Sequence, residues 1–160
     1  TGNTNIVAHS LGTRGVMLAL VLMARAHKED KPLLNQVVLI APDIDVGIFK
    51  QYLPLIRPLV RNMTVYVSSN DSPLALSKQV HGYPRLGEAG EHLEGLTDIE
   101  IIDLSDIPVR APSGHVYHLY QNLVTEDLDQ LINQNQPAAR RTNLKQVGEN
   151  LWRLQKAETE

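Results

Sequence analysis

Short apolar runs alternate with longer, helix-like segments along the first 130 or so residues of the chain. The runs predict strands at Asn5–His9, Gln36–Ala41, Met63–Ser68 and Ile99–Leu104. They are apolar along most of their length and do not alternate with polar residues, which is typical of strands covered on both faces. Strands that alternate with helices pair in parallel through right-handed crossovers. The pattern therefore predicts an α/β fold with a mainly parallel sheet of about four strands.

The segments between and after these strands predict the flanking helices. They cover Leu11–His27, Ile48–Val60, Ser72–His81 and Tyr117–Ile132. The first of them is apolar on nearly all sides between Val16 and Met23, which is typical of a helix covered on more than one side. Pro54 and Pro58 interrupt the second.

The composition changes at about Asn133. The stretch "NQNQPAARR" predicts a polar linker, and Thr142–Lys156 predicts an amphipathic helix with four apolar residues on one stripe. We expect residues 1–133 to form one domain. Residues 134–160 would then be a linker and a helix that either docks on this domain or presents its stripe to a partner.

Composition and charge exclude several classes of protein. Of the 160 residues, 42% are apolar and 21% are charged, which is ordinary for a globular domain. The formal charge of -3 lacks the basic excess that nucleic acids or anionic membranes require, so we expect no nucleic-acid partner. The longest apolar run, Val16–Ala24, is shorter than the roughly 20 residues of a transmembrane helix, so we expect no integral membrane segment. The absence of cysteine excludes disulfides and thiolate metal sites, and fits a reducing compartment.

The stretch "AHSLG" places a serine between the first predicted strand and the first predicted helix. Ala8 and Gly12 lie two residues before and two residues after Ser10. A sharp strand-to-helix turn that exposes a nucleophilic serine needs small residues at these two positions. Ser10 is therefore a candidate nucleophile. The alternative is a serine that caps the N-terminus of the following helix.

A serine nucleophile needs a base to accept its proton and an acid to orient that base. In a parallel sheet, such groups lie just beyond the carboxyl ends of the strands. Asp71 follows the third predicted strand, and His115 lies in a loop after the fourth. Asp43, after the second strand, is the alternative acid.

These residue types also have ordinary structural roles. Asp71 is placed to cap the helix that begins at Ser72, Asp43 fits a turn, and His115 fits an exposed loop. His115 and His118 together have the spacing of two metal ligands. No third ligand with a recognised spacing accompanies them and no His-Glu-x-x-His motif is present, so we expect no metal.

Four stretches resemble the α/β-hydrolase superfamily, and more closely an uncharacterised bacterial branch described as esterase- or lipase-like. They are "IVAHSLGTRGVMLAL", "VVLIAPDID", "VYVSSNDSPLALSKQVHGYPRLGEAG" and "SGHVYHLYQN", which together cover about three quarters of the chain. The resemblance implies Ser10 as nucleophile, Asp71 as acid and His115 as base, in the chain order of this superfamily. It implies that the backbone N–H of Leu11 forms half of the oxyanion hole. It does not name a substrate. A serine hydrolase of this kind would act on a small-molecule ester and would need no cofactor.

The resemblance covers only the second half of the superfamily fold. In that fold, four strands precede the nucleophile strand, and a loop after the third of them supplies the second oxyanion donor. Only five residues precede Ile6 in this chain. We therefore expect the first strand to lie at an open, apolar sheet edge. The chain is then a fragment of a longer enzyme, a truncated protein that buries this edge by self-association, or a non-catalytic remnant.

The sequence thus predicts a serine hydrolase that acts on carboxylic esters, with its oxyanion hole incomplete in this chain. The alternative is a non-catalytic interaction or structural domain on a hydrolase-derived scaffold. A nucleotide-binding fold is disfavoured because neither GxGxxG nor GxxxxGK is present.

Overall fold

The computed structural model describes residues 2–107 and 122–156, with only the backbone for residues 72–74, 76 and 77. The strands are β1 (Thr4–His9), β2 (Leu34–Ile40), β3 (Val60–Val67), β4 (Glu100–Asp103), β5 (Leu144–Gln146) and β6 (Leu151–Leu154). The helices are α1 (Gly12–Ala26), α2 (Val46–Ile56), α3 (Ser72–His81) and α4 (Asn122–Ile132). Short 3-10 turns cover Arg57–Leu59, Glu91–Leu93 and Ala138–Arg140.

The described strands form one six-stranded sheet in the order β1-β2-β3-β4-β6-β5. The pairs from β1 to β4, and the pair β4–β6, are parallel, and only β5 runs antiparallel to its neighbour. The predicted α/β fold with a mainly parallel sheet is confirmed. The sheet has six strands where about four were predicted.

Alternate residues of the central strands supply two separate hydrophobic cores. In β2, Val37 and Leu39 pack with residues of α1 and α2, whereas Val38 and Ile40 pack with residues of α4. Each of these four side chains is at most 1% exposed. Burial on both faces explains why the strand is apolar at consecutive positions.

Helix α1 is covered on one stripe only within the described residues. Its buried residues are Thr13, Met17, Leu20 and Val21, while Leu18 and Leu22 are 63% and 57% exposed. The apolar pattern is typical of cover on more than one side, and the described residues supply only part of that cover. Among the described strands β1 is the outermost, and Val7 is 49% exposed, which is consistent with the expected open sheet edge. No described helix has the length and apolar character needed to cross a membrane.

The predicted C-terminal helix is wrong. The residues assigned to it form the hairpin β5–β6, and β6 pairs in parallel with the free edge of β4. Asn150 Nδ2 donates to the carbonyl oxygens of Leu96 and Ile99 at 2.6 and 3.0 Å, which fixes the turn of the hairpin beside β4. Leu154 is fully buried in the core beneath α4. Pairing with β4 satisfies the backbone hydrogen-bonding groups of this segment. The helical spacing of its apolar residues did not indicate this pairing.

A buried polar cluster joins α4 and the segment before β5 to the sheet. Tyr66 Oη donates to Asp127 Oδ2 at 2.5 Å. Arg141 Nη1 lies 3.1 Å from the same oxygen, and Nη2 lies 3.0 Å from Glu100 Oε2. The side chains of Asp127 and Arg141 are both 0% exposed. The cluster therefore connects β3, β4, α4 and the chain that leads into β5.

The charges in this cluster are costly to bury and costly to separate. Burial raises the pKa of Asp127 above its ordinary value, although Arg141 opposes this shift. Burial, together with the Asp127 charge, raises the pKa of Tyr66 well above 10. Removing one partner from a buried ion pair leaves an uncompensated charge, which costs more than the pair itself contributes.

We expect Asp127→Ala to lower the free energy of unfolding by about 3–5 kcal/mol, because it leaves the buried Arg141 guanidinium with one carboxylate. Urea unfolding followed by circular dichroism measures the loss. Glu126→Ala is the matched control, since Glu126 is the neighbouring exposed carboxylate on α4. Equal stability of the two variants would contradict the role given to the cluster.

Candidate active site

Ser10 occupies a sharp turn between β1 and α1. Its φ of 52° lies in the left-handed region, which non-glycine residues adopt rarely and which is concentrated at functional sites. The Ser10 N–H donates to the Ile40 carbonyl oxygen at 2.9 Å. The Ser10 carbonyl oxygen accepts from the Thr13 N–H at 3.1 Å and from Thr13 Oγ1 at 2.5 Å. These bonds hold the turn in its strained conformation from both sides.

The turn does not support the alternative role of Ser10 as a helix cap. Leu11 occupies the N-cap position of α1, and no side-chain hydrogen bond caps that helix. The Thr13 N–H bonds to the carbonyl oxygen of Ser10 and not to its hydroxyl.

The two small residues around Ser10 differ in their surroundings. Ala8 is 8% exposed and belongs to the core beneath α1. A Cβ atom built on Gly12 meets no heavy atom of the described structure within 4 Å. The steric need for small residues is therefore consistent with Ala8, but nothing among the described residues requires glycine at position 12.

The carboxyl edge of the parallel sheet brings Ser10, Asp43 and Asp71 to one side of the molecule. They follow β1, β2 and β3 respectively. Asp71 is 2% exposed and directly precedes α3, where its carbonyl oxygen accepts from the Ala75 N–H. This position suits both the catalytic acid and a helix cap. His115 and His118 lie outside the described residues.

Asp43 is held by two arginines. Arg14 Nη2 donates to Asp43 Oδ2 at 2.9 Å, and Arg14 Nε donates to the Asp43 carbonyl oxygen at 2.7 Å. Arg85 Nε lies 3.2 Å from Asp43 Oδ1. Because each carboxylate oxygen faces a guanidinium group, Asp43 is less suited than Asp71 to orient a histidine. It instead joins α1 to the loops that follow β2 and α3.

The two arginines were not predicted from the sequence. Arg14 lies one helical turn after Ser10, and Arg85 lies in a loop that the sequence indicates only as polar and glycine-rich. Arg85 is nevertheless 4% exposed, since its loop pairs with the turn after β2 through the hydrogen bond from Leu86 N to the Ile44 carbonyl oxygen. A charged residue in a loop gives no local signal of burial, because the partner is distant in sequence.

The model of a family described as "Alpha/beta hydrolase of unknown function (DUF900)" matches residues 1–135. The chain belongs to this α/β-hydrolase family. The match includes β1 to β4, α1 to α4 and Ser10, whereas β5 and β6 lie beyond it. No curated protein and no solved structure is significantly similar to this chain.

The described part of this α/β hydrolase holds no group of three or more histidine, aspartate or glutamate side chains placed to bind a metal ion.

The left-handed backbone of Ser10 predicts a difference between two substitutions that both remove the hydroxyl. We expect Ser10→Gly to be more stable than Ser10→Ala by about 1 kcal/mol, because glycine adopts a positive φ without the Cβ penalty. Thermal or urea unfolding of the two variants measures this difference.

Ala19→Gly is the control for this comparison. Ala19 is exposed in the middle of α1, where glycine costs about 1 kcal/mol relative to alanine. Glycine in place of alanine should therefore raise the free energy of unfolding at position 10 and lower it at position 19. A Ser10→Gly variant no more stable than Ser10→Ala would show that the turn carries no strain.

Proposed function

We propose that the protein is a serine hydrolase that acts on carboxylic esters, with Ser10 as nucleophile, His115 as base and Asp71 as acid. The observation that carries this proposal is the left-handed Ser10, held on a strand-to-helix turn. Its position on the sheet edge that also carries the buried Asp71 adds support. The family match to α/β hydrolases is consistent with the proposal.

In the proposed reaction, Ser10 Oγ attacks the acyl carbon while His115 accepts its proton. Asp71 orients the imidazole ring and stabilises the imidazolium that forms. The carbonyl oxygen becomes an oxyanion and accepts a hydrogen bond from the Leu11 N–H. His115 then gives the proton to the departing alcohol, which leaves an acyl-enzyme. Water then attacks the acyl carbon and gives a proton to His115. His115 passes this proton to Ser10 Oγ as the bond between Oγ and the acyl carbon breaks, which releases the acid and restores the Ser10 hydroxyl. No cofactor takes part.

The N-terminus of α1 supports the role given to Leu11. The first N–H groups of a helix have no partner within the helix, and the helix dipole places partial positive charge there. Leu11 is the N-cap residue of α1, so its N–H belongs to this end. A donor at this position stabilises negative charge that develops in the transition state.

A fluorophosphonate probe tests the proposal, because it reacts covalently with activated serines. We expect labelling of the wild-type protein at Ser10, and loss of labelling in Ser10→Ala. Ser69→Ala is the control, since Ser69 lies after β3 on the same sheet edge and has no proposed role. Mass spectrometry of the labelled peptides identifies the site.

Two further variants separate the candidate acids in the same assay. Asp71→Asn should slow labelling by about 10³- to 10⁴-fold, the loss typical of a triad acid, whereas Asp43→Asn should change it far less. A folded wild-type protein that does not label, or labelling that persists in Ser10→Ala, would refute the proposed function.

The open edge of β1 favours a second function, self-association of the chain. Within the described residues β1 pairs only with β2, and none of residues Thr4–His9 is an aspartate, glutamate, lysine or arginine. Native proteins usually protect such an edge with charge, proline or a covering element. We propose that two copies pair β1 with β1 about a two-fold axis, which would join their sheets. Self-association of this kind would make the chain an interaction domain, and it does not depend on catalysis.

Val7→Lys tests this interface by placing a charge at the strand edge. We expect wild-type dimers to form with increasing concentration in sedimentation velocity runs, and the variant to raise the dimer dissociation constant at least about tenfold. Val80→Lys is the control, because Val80 is 73% exposed near the end of α3. A wild-type protein that stays monomeric at all concentrations would contradict the proposal.

A further inference from the structure

A groove of about 400 Å³ lies between α1 and α2, and Arg14 of the first turn of α1 contributes to its lining. Its walls are mainly apolar side chains, and charged groups lie at the end where both helices begin. The lining includes Arg14, Leu18, Ile48, Tyr52 and Arg85. The volume falls within the range of roughly 300–1,000 Å³ that is typical of small-molecule sites.

Two large aliphatic residues of this groove are unusually exposed. Leu18 on α1 is 63% exposed, and Ile48 on α2 is 52% exposed. They lie with Met17 and Val21 in the same groove. Contiguous exposed apolar surface that forms a concave shape typically marks a binding site. The groove therefore suits an apolar ligand.

The charges at the end of the groove compensate one another. Arg14 and Arg85 face the two oxygens of Asp43, and Asp45 Oδ1 accepts from the Ile48 N–H at the start of α2. The two arginines and the two aspartates therefore compensate one another at this end, and His81 is the remaining titratable residue of the groove lining. A neutral chain fits this environment better than a fatty-acid anion, because an anion would compete with Asp43 for the arginines.

Short contacts connect the groove to the proposed nucleophile. Arg14 lies one turn after Ser10 on α1 and bonds to Asp43, and the Asp43 N–H lies 3.4 Å from the Ser10 carbonyl oxygen. Arg14, which lines the groove, is thus linked through Asp43 to the backbone of the Ser10 turn.

We propose that the α1–α2 groove binds the aliphatic acyl chain of the ester, which makes medium-chain esters the preferred substrate class. This inference rests on the proposed serine hydrolase. The acyl chain packs on Leu18 and Ile48, and the carbonyl carbon of the ester remains at Ser10. The compensated charges at the end of the groove disfavour the binding of free anions.

A series of p-nitrophenyl esters from acetate to dodecanoate tests the inference. We expect kcat/KM to rise by about fourfold for each added methylene until the groove is filled, as expected for burial of a methylene group. Ile48→Trp should fill the groove and lower the octanoate-to-acetate ratio of kcat/KM at least tenfold. The acetate rate should fall far less than the octanoate rate in this variant, because a two-carbon acyl group is too short to fill the groove.

Leu55→Trp is the matched control, because Leu55 is a 39% exposed aliphatic residue of α2 that does not line the groove. It should keep the wild-type ratio. A flat dependence on chain length, or an equal ratio in Ile48→Trp and wild type, would overturn the inference while leaving the proposed hydrolase standing.

Binding of octan-1-ol provides a measurement that needs no catalysis. We expect its addition to shift the backbone amide resonances of α1 and α2 in the wild-type protein and in Leu55→Trp, but not in Ile48→Trp. If octan-1-ol shifts these resonances but the protein neither hydrolyses esters nor labels at Ser10, the proposed hydrolase is refuted. The groove would then still be a site that binds aliphatic chains. Absence of the shifts in the wild-type protein would overturn the groove itself.

Discussion

The parallel pairing of β1, β2, β3 and β4 determines where Ser10, Asp43 and Asp71 lie. Because these strands run in the same direction, the residues that follow them emerge at one edge. Hydrogen bonds continue across this edge beyond the strands, from Ser10 N to the Ile40 carbonyl oxygen and from Ala41 N to the Tyr66 carbonyl oxygen. The turns after the strands are therefore as firmly placed as the strands themselves. A rigid edge of this kind can hold a residue in a costly conformation.

The two faces of the sheet serve different purposes. On one face, α1 and α2 form an apolar core and leave the exposed groove beside the Ser10 turn. On the other face, α4 lies over a second core that includes Tyr66, and the buried Asp127–Arg141 pair connects it to β3 and β4. Hydrophobic contacts alone would tolerate small shifts of α4, whereas a buried ion pair is costly to misalign. The polar cluster therefore fixes the position of α4 and of the chain that enters β5.

The Asp43 bridge on the first face contrasts with the Asp127 cluster on the second. Arg14 is partly exposed, whereas Arg85 is buried. The bridge joins the first turn of α1 to two loops at the sheet edge, so it supports the geometry around Ser10. An aspartate after a strand is thus ambiguous in sequence, because a catalytic acid and a structural bridge share the same position in the chain.

The sequence by itself determined the first four strands, the order of helices between them and the serine turn. These features depend on local patterns: continuous apolar runs, small residues around Ser10, and turn residues that end the strands. The spacing of apolar residues gave a wrong prediction for the last segment. A helical stripe would contain Leu144, Val147, Leu151 and Leu154, but the segment forms a hairpin. Only the tertiary structure decided that this segment pairs with β4, and that Arg85 and Arg141 are buried beside Asp43 and Asp127. The reason is that a free strand edge and a distant counter-charge lie far away in the chain, so no local pattern records them.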